Sequence, residues 1–448
     1  MSDGSRAVAH NPGRSIPKGP VAIVLAGAGA RGAYEAGFVA TLLPHLRPRP
    51  TIFVGTSAGA INAALLASVA HLPPQAAGER IMASWSKLHA GRVFRPLWKS
   101  LPLAAAQYLG SIFFGSDAPE SLADTAPLPA ALSDPELLDW SQLARNLEAG
   151  VLEAIGVAAT ETGSGRTKLF YQTKPGWAPA VRSLLARAAR SPGKGHSKTV
   201  PAAIQSDESQ AIDYVATELD ERHVRASAAI PVLFPPVAIG NSFLIDGGVR
   251  LNAPLKPALE LGADGVIVVA TDPRHFGTSL AVDPKPPTMQ GQVLQLLRAV
   301  FADRMIEDIH VLLSRNRKAQ KVLDEGGQPD DRVVPIIFGG PLDQDRLGGV
   351  AARAVDELLK GPPWRRYKEH LDVALLSLVL RVCPASAPDL LSYILFEPLF
   401  IRGALRAGIQ DASALLNDYP APADLWPALS DRDLRHRQPK HEVATTPL

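Results

Sequence analysis

The chain has 448 residues, 46% of them hydrophobic and 20% charged, with a formal net charge of +2. This is the composition of a globular protein with one or two large cores, and it excludes fibrous and wholly disordered classes. A charge so small on basic residues so dispersed leaves no footprint for duplex nucleic acid, which is not expected as a partner.

Residues 1–19 mix Gly, Ser, Pro, Arg and His without an apolar core of the kind a secretory signal carries, and are expected to form a flexible tail. Val21-Ala22-Ile23-Val24-Leu25 then reads as a buried strand. It is followed by the glycine loop Gly27-Ala28-Gly29-Ala30-Arg31-Gly32 and an amphipathic helix to about Leu46. A second strand, Thr51-Ile52-Phe53-Val54, leads into Gly55-Thr56-Ser57-Ala58-Gly59 and a small-residue helix from Ala60 to Ala70. Ile52 to Leu72 carries no charge and is long enough to span a bilayer. Because it holds Asn62 and splits into strand and helix, it reads instead as the centre of an α/β protein.

From Arg80 to Gly150 the pattern is helical and broken by prolines, with an apolar segment Leu101 to Phe114 that fits either core or the lining of a groove. Leu152 to Ala159 and Lys168 to Gln172 flank Gly163-Ser164-Gly165 as a hairpin, and a polar loop is expected between Arg190 and Gln210. Phe243-Leu244-Ile245 ends in Asp246-Gly247-Gly248. A short helix, Pro257 to Leu261, and a strand, Gly265 to Ala270, follow. Beyond Pro284-Lys285-Pro286-Pro287 the chain is mostly helical from Gln290 to Leu323, with one strand from Val333 to Phe338. Apolar helices are expected over Leu371 to Val382 and Leu390 to Leu405; they can pack in the core, touch a bilayer or cover a groove. Cys383, the single cysteine, rules out an intramolecular disulfide, fits a reducing compartment and reads as a small buried apolar side chain.

Gly55-Thr56-Ser57-Ala58-Gly59 has the form of a nucleophile elbow. The serine sits on a strained strand-to-helix turn, so residues two before and two after must be glycine-sized. The helix behind it points its free N–H groups and positive dipole end to where an anionic tetrahedral intermediate would form.

With the glycine loop after the first strand, the elbow after the second, and Asp246-Gly247-Gly248 late in the domain, the chain resembles the patatin-like phospholipases. Arg225-Ala226-Ser227-Ala228-Ala229-Ile230-Pro231, followed by Phe234-Pro235-Pro236, is similar to the stretch that precedes the aspartate in that family. One departure is Ala28, where the family loop usually opens on consecutive glycines.

The resemblance implies a three-layer α/β/α fold with a mainly parallel central sheet and a mostly helical C-terminal extension. It divides the chain into a patatin-like catalytic domain over 20–283, a helical region over 284–430 and a flexible tail over 431–448. It also implies a Ser–Asp dyad: Ser57 as nucleophile and Asp246 as the base that takes its proton and returns it to the leaving alcohol. The loop Gly27, Ala28, Gly29, Ala30, Arg31 and Gly32 would form an oxyanion hole, chiefly through the amides of Gly27 to Ala30 with Arg31 adding charge nearby; Arg31 also fits a salt-bridged helix start. Gly55, Gly59, Gly247 and Gly248 would support the two turns. The implied substrate is a phospholipid or other acyl lipid, met through peripheral membrane contact by a cytoplasmic or membrane-peripheral enzyme that needs no metal or other cofactor.

Three rivals stand beside this reading. Gly27-x-Gly29-x-x-Gly32 also satisfies a dinucleotide fingerprint, but no Asp or Glu lies between Glu35 and Glu79 to hold a ribose, which leaves only an NADP site using Arg47 or Arg49. The loop also lacks the Gly-Lys-Ser/Thr ending of a P-loop. An α/β-hydrolase triad would run Ser57, Asp246, His275, although that fold usually reaches its nucleophile after more strands. A non-catalytic lipid-binding module would keep the fold and not need Ser57.

Overall fold

Side chains alternate along the first strand, β1 (Val21–Leu25): Val21, Ile23 and Leu25 enter one apolar core, Ala22 and Val24 another. A strand with its two-residue period gives this result only when both faces of its sheet are covered. The structure is a computed structural model that describes residues 16–96, 99–100, 107, 120–177, 204–207, 211–271, 304–329, 332–341, 343, 345–360, 371–373 and 387–426.

The remaining strands are β2 (Pro50–Thr56), β3 (Ala154–Glu161), β4 (Thr167–Thr173), β5 (Ile204–Asp207), β6 (Ile212–Ala216), β7 (Val237–Ile239), β8 (Ser242–Asp246), β9 (Gly265–Val269) and β10 (Ile336–Gly339). They form one sheet in the order β10-β9-β1-β2-β3-β4-β6-β5, with β8 joined to β3 and β7 to β8. From β10 to β3 every neighbour is parallel. The β3–β4 hairpin is antiparallel, as its Gly-Ser-Gly turn predicts.

On one face lie α1 (Gly32–Leu42), α2 (Ala58–Ser68), α3 (Pro74–Lys87), α4 (Ala90–Val93), α5 (Pro127–Leu132), α6 (Trp140–Glu148) and α7 (Glu221–Ser227). The opposite face is covered by α8 (Leu255–Glu260) and α9 (Arg304–Asp324). Three C-terminal helices, α10 (Arg346–Leu358), α11 (Ala387–Ile394) and α12 (Pro398–Asp418), join the first face. The protein is thus a three-layer α/β/α fold with a mostly parallel sheet and a helical C-terminal region.

Two expectations need correction. The polar loop placed between Arg190 and Gln210 is interrupted by β5, which pairs antiparallel with β6; neither strand was foreseen. Four residues of alternating character do not stand out from a polar background, and pairing to a neighbour decides them. The helix expected from Leu390 to Leu405 is two helices, α11 and α12, separated at Leu395-Phe396-Glu397. Pro398 is the cause: it has no N–H to continue α11, and it suits the first turn of α12. The aromatic residues of the Leu101 to Phe114 segment, Cys383 and most of Leu371 to Val382 lie outside the described residues. The strand expected over Val333 to Phe338 is present as β10, which forms an edge of the sheet.

Candidate active site

One strand brings the two distant motifs together. β2 runs parallel along one edge of β3 as far as Thr56, opposite Ala158. β8 approaches antiparallel along β3 and ends with Asp246 opposite Ala159. The other edge of β3 is filled by β4 over this same stretch. The C-terminal ends of β2 and β8 therefore meet head to head, and the residue after one faces the last residue of the other. Ser57 Oγ donates to Asp246 Oδ2 at 2.6 Å, although 189 positions separate them.

Ser57 has φ +56°, a left-handed conformation rare outside glycine, at the start of α2. Strand and helix pass so closely that a Cβ on Gly55 would lie 2.1 Å from the Gly59 carbonyl oxygen, and one on Gly59 would lie 2.3 Å from that of Leu25. Real carbon–oxygen contacts never reach such distances, so both positions exclude a side chain. Gly247 is equally restricted, with the Ala158 carbonyl oxygen 2.2 Å from where its Cβ would stand.

Asp246 is fully buried. Its Oδ1 accepts from the Gly248 N–H at 2.7 Å. Loss of water pushes its carboxyl up to about 7, against the opposing pull of the Ser57 and Gly248 hydrogen bonds. A carboxylate so placed is a far better proton acceptor near neutrality than one in water. His275, the third member of the rival triad, lies outside the described residues.

In the glycine loop, Ala28 has φ −155°, and the left-handed position falls on Gly29 instead, at +53°. The alanine departure therefore does not fall on a left-handed position. Gly27 cannot serve as a free donor, because its N–H is shared between the Asn252 carbonyl at 3.1 Å and the Asn252 side-chain oxygen at 2.9 Å. The Arg31 and Gly32 amides are used inside the turn. Those of Ala28, Gly29 and Ala30 make no hydrogen bond among the described residues. Gly29, Ser57 and Ala58 line a common pocket of about 20 Å³, otherwise walled by apolar side chains including Ile230, Phe234 and Phe396. Gly32 is needed for packing: a Cβ there would meet the Trp85 ring at 2.6 Å.

Arg31 is buried and its guanidinium is engaged by α11. It donates to Ser392 Oγ at 2.6 Å and Tyr393 Oη at 3.0 Å, and pairs with Asp389. Of the two roles open to it, the salt-bridged one is occupied.

Three residues of the site escaped the sequence. Ser227 accepts the Ser57 N–H at 2.8 Å and donates to the Ala158 carbonyl at 2.5 Å, which fixes the elbow backbone. Asn252 braces the loop from beyond the Asp-Gly-Gly turn. Glu35, with its carboxyl pushed well above the usual range by burial, accepts from the Ala26 N–H at 3.0 Å and Asn62 Nδ2 at 2.9 Å. Ser227 sat within the Arg225–Pro231 stretch already singled out, which was the available signal.

A strained serine bonded to a buried carboxylate at the C-terminal edge of a mostly parallel sheet marks the candidate site of a three-layer α/β/α protein. The sequence model of the patatin-like phospholipase family matches residues 23–259, more than half of the chain, and the protein belongs to that family. The lysophospholipase NTE1 of Cryptococcus neoformans var. neoformans serotype D, in strains JEC21 and B-3501A, is 38% identical over 66 residues. That match covers 13% of this chain and 4% of the relative, so the chain spans a small fraction of that protein. Among solved structures, VipD of Legionella pneumophila aligns at 12% identity and TM-score 0.28, over 89% of this chain and 68% of that one. ExoU of Pseudomonas aeruginosa, solved with SpcU, aligns at 14% identity and TM-score 0.22, over 87% and 77%. Among the described residues, no helix is long and apolar enough to cross a membrane.

Proposed function

We propose that the protein is a serine lipid acyl hydrolase that cleaves ester bonds of phospholipids or related acyl lipids with a Ser57–Asp246 dyad. The observation that carries this reading is the 2.6 Å hydrogen bond from a strained serine hydroxyl to a buried carboxylate. Ser57 Oγ attacks the ester carbonyl carbon as its proton passes to Asp246 Oδ2. The carbonyl oxygen becomes an oxyanion, for which the Ala28, Gly29 and Ala30 amides and the N-terminus of α2 are the donors we assign. The carbon–oxygen bond to the alcohol then breaks, and Asp246 returns the proton to the departing oxygen. In the second half, a water gives its proton to Asp246 and adds to the acyl-serine. Release of the fatty acid restores the Ser57 hydroxyl with that proton. Labelling with a fluorophosphonate and peptide mapping tests this: the adduct is expected on Ser57, and an adduct confined to another serine refutes it.

The pocket's apolar wall suits an acyl chain, and its small volume means that side chains must part to admit one. Ile230 and Phe234 belong to that wall, and between them Val232 stands 71% exposed with φ +71°. Its carbonyl accepts the N–H of Leu122, a second exposed apolar side chain. A β-branched residue held in a left-handed conformation and in water is unfavourable twice over, which supports burial of this tip in a lipid surface. Val232→Asp is expected to lower phospholipid-vesicle turnover by about tenfold, the effect of keeping one valine side chain out of the bilayer. Hydrolysis of a short water-soluble ester should stay within about twofold. Asp tolerates φ above zero better than valine, so the fold should persist. Equal losses on both substrates would refute a lipid-surface role for this tip.

A further inference from the structure

We propose that the segment Asp389–Phe396, which lies beyond the family-matched span, is a working part of the hydrolytic site: Asp389 and Tyr393 act through Arg31 to position the oxyanion loop, and Phe396 closes the acyl pocket. The proposal rests on the Ser57–Asp246 reading and adds a requirement for a region that the motifs do not include.

Arg31 ends the turn that carries the Gly29 and Ala30 amides. Its guanidinium is held on several sides at once. Nε donates to Ser392 Oγ at 2.6 Å, one terminal nitrogen to Tyr393 Oη at 3.0 Å, and the other to the Asp389 carbonyl at 2.9 Å as well as to the Asp389 carboxylate. The Tyr393 ring also lies under the guanidinium, 3.8 Å from centroid to Cζ. A planar fork fixed by this many partners has little freedom to rotate, and the backbone attached to it shares that restraint. The loop itself is in contact with α11: a Cβ on Gly29 would lie 2.1 Å from the Tyr393 carbonyl oxygen. Gly29 thus needs to be glycine both for its left-handed turn and for the approach of α11. Three residues further, Phe396 lines the Ser57 pocket, and its carbonyl accepts the Ala90 N–H at 2.7 Å, which ties the segment to α4, whose Val93 lines the same pocket.

Donors that stabilise a tetrahedral oxyanion must stand within about 0.5 Å of their working position. Holding the loop is therefore a requirement for rate, while substrate binding in the apolar pocket depends on it much less. Asp389→Asn and Tyr393→Phe are expected to lower kcat on a soluble ester by about tenfold or more with KM within about twofold. Amide hydrogen exchange over residues 26–34 should rise at least about tenfold in both variants, with cooperative melting retained. Asp389→Glu, which restores the carboxylate, should recover part of kcat. Phe396→Ala should shift chain-length preference towards bulkier acyl groups. Unchanged exchange at 26–34, or unchanged kcat in both variants, overturns the positioning role, as does a loss carried entirely by KM. Failure of the underlying hydrolase reading would appear elsewhere, as wild-type turnover by Ser57→Ala in the same assay.

Discussion

Replacing Asp246 by asparagine is expected to reduce ester turnover by at least about 10³-fold, and Ser57→Ala to do the same. Asparagine can keep the contact to Ser57 and still accept the Gly248 N–H, so geometry survives while proton acceptance is lost. The double variant should be no slower than either single one, because the two groups act as a unit. With Asp246 as the proposed base, active only when ionised, kcat/KM of the wild type should rise with pH through about 7, where burial places the Asp246 carboxyl, and then level off. In Asp246→Asn that rise should vanish. His275→Asn should keep turnover within about twofold. A large loss in the histidine variant, with little in Asp246→Asn, would transfer the site to the triad mechanism.

The same substitution is expected to stabilise the fold at alkaline pH. Asp246 has a folded-state pKa of about 7, against ~3.9 when unfolded. Below about pH 4 both states are protonated and the group makes no demand. Between about 4 and 7 the folded chain still holds the proton that the unfolded chain has released, so stability falls as pH rises. Above about 7 the loss is complete, on the order of 4 kcal/mol. Asparagine has no charge to desolvate. The melting temperature of Asp246→Asn should exceed that of the wild type by several degrees at pH 8, and the gap should shrink towards pH 4. An equal or lower melting temperature at pH 8 would show that the carboxylate is not held at a desolvation cost, and would remove the physical basis for its strength as a base.

Local chemistry explains what could be read from the linear chain. The elbow was legible because Gly55, Ser57 and Gly59 are a backbone requirement of one turn, and β1, β2, β3 and β9 because a strand covered on both faces is a continuous apolar run. Asp246 was legible as the residue that follows the short apolar run Phe243-Leu244-Ile245, although Phe243 itself is exposed.

Longer-range matters were decided only when strands and helices packed. That β8 meets β2 end to end follows from β4 occupying the other edge of β3, which no local pattern encodes. Ser227, Asn252 and Glu35 serve the site through contacts made across the fold, and as isolated letters they resemble any other polar residue. Arg31 offers the clearest case. Its place in the loop suggested either charge beside the oxyanion or a salt bridge at a helix start, and it is a carboxylate and two hydroxyls on α11, more than 350 positions away, that hold the guanidinium. Turn chemistry acts over a few residues and is written in order along the chain, whereas partner choice for a buried charge depends on which helix the closed core brings beside it.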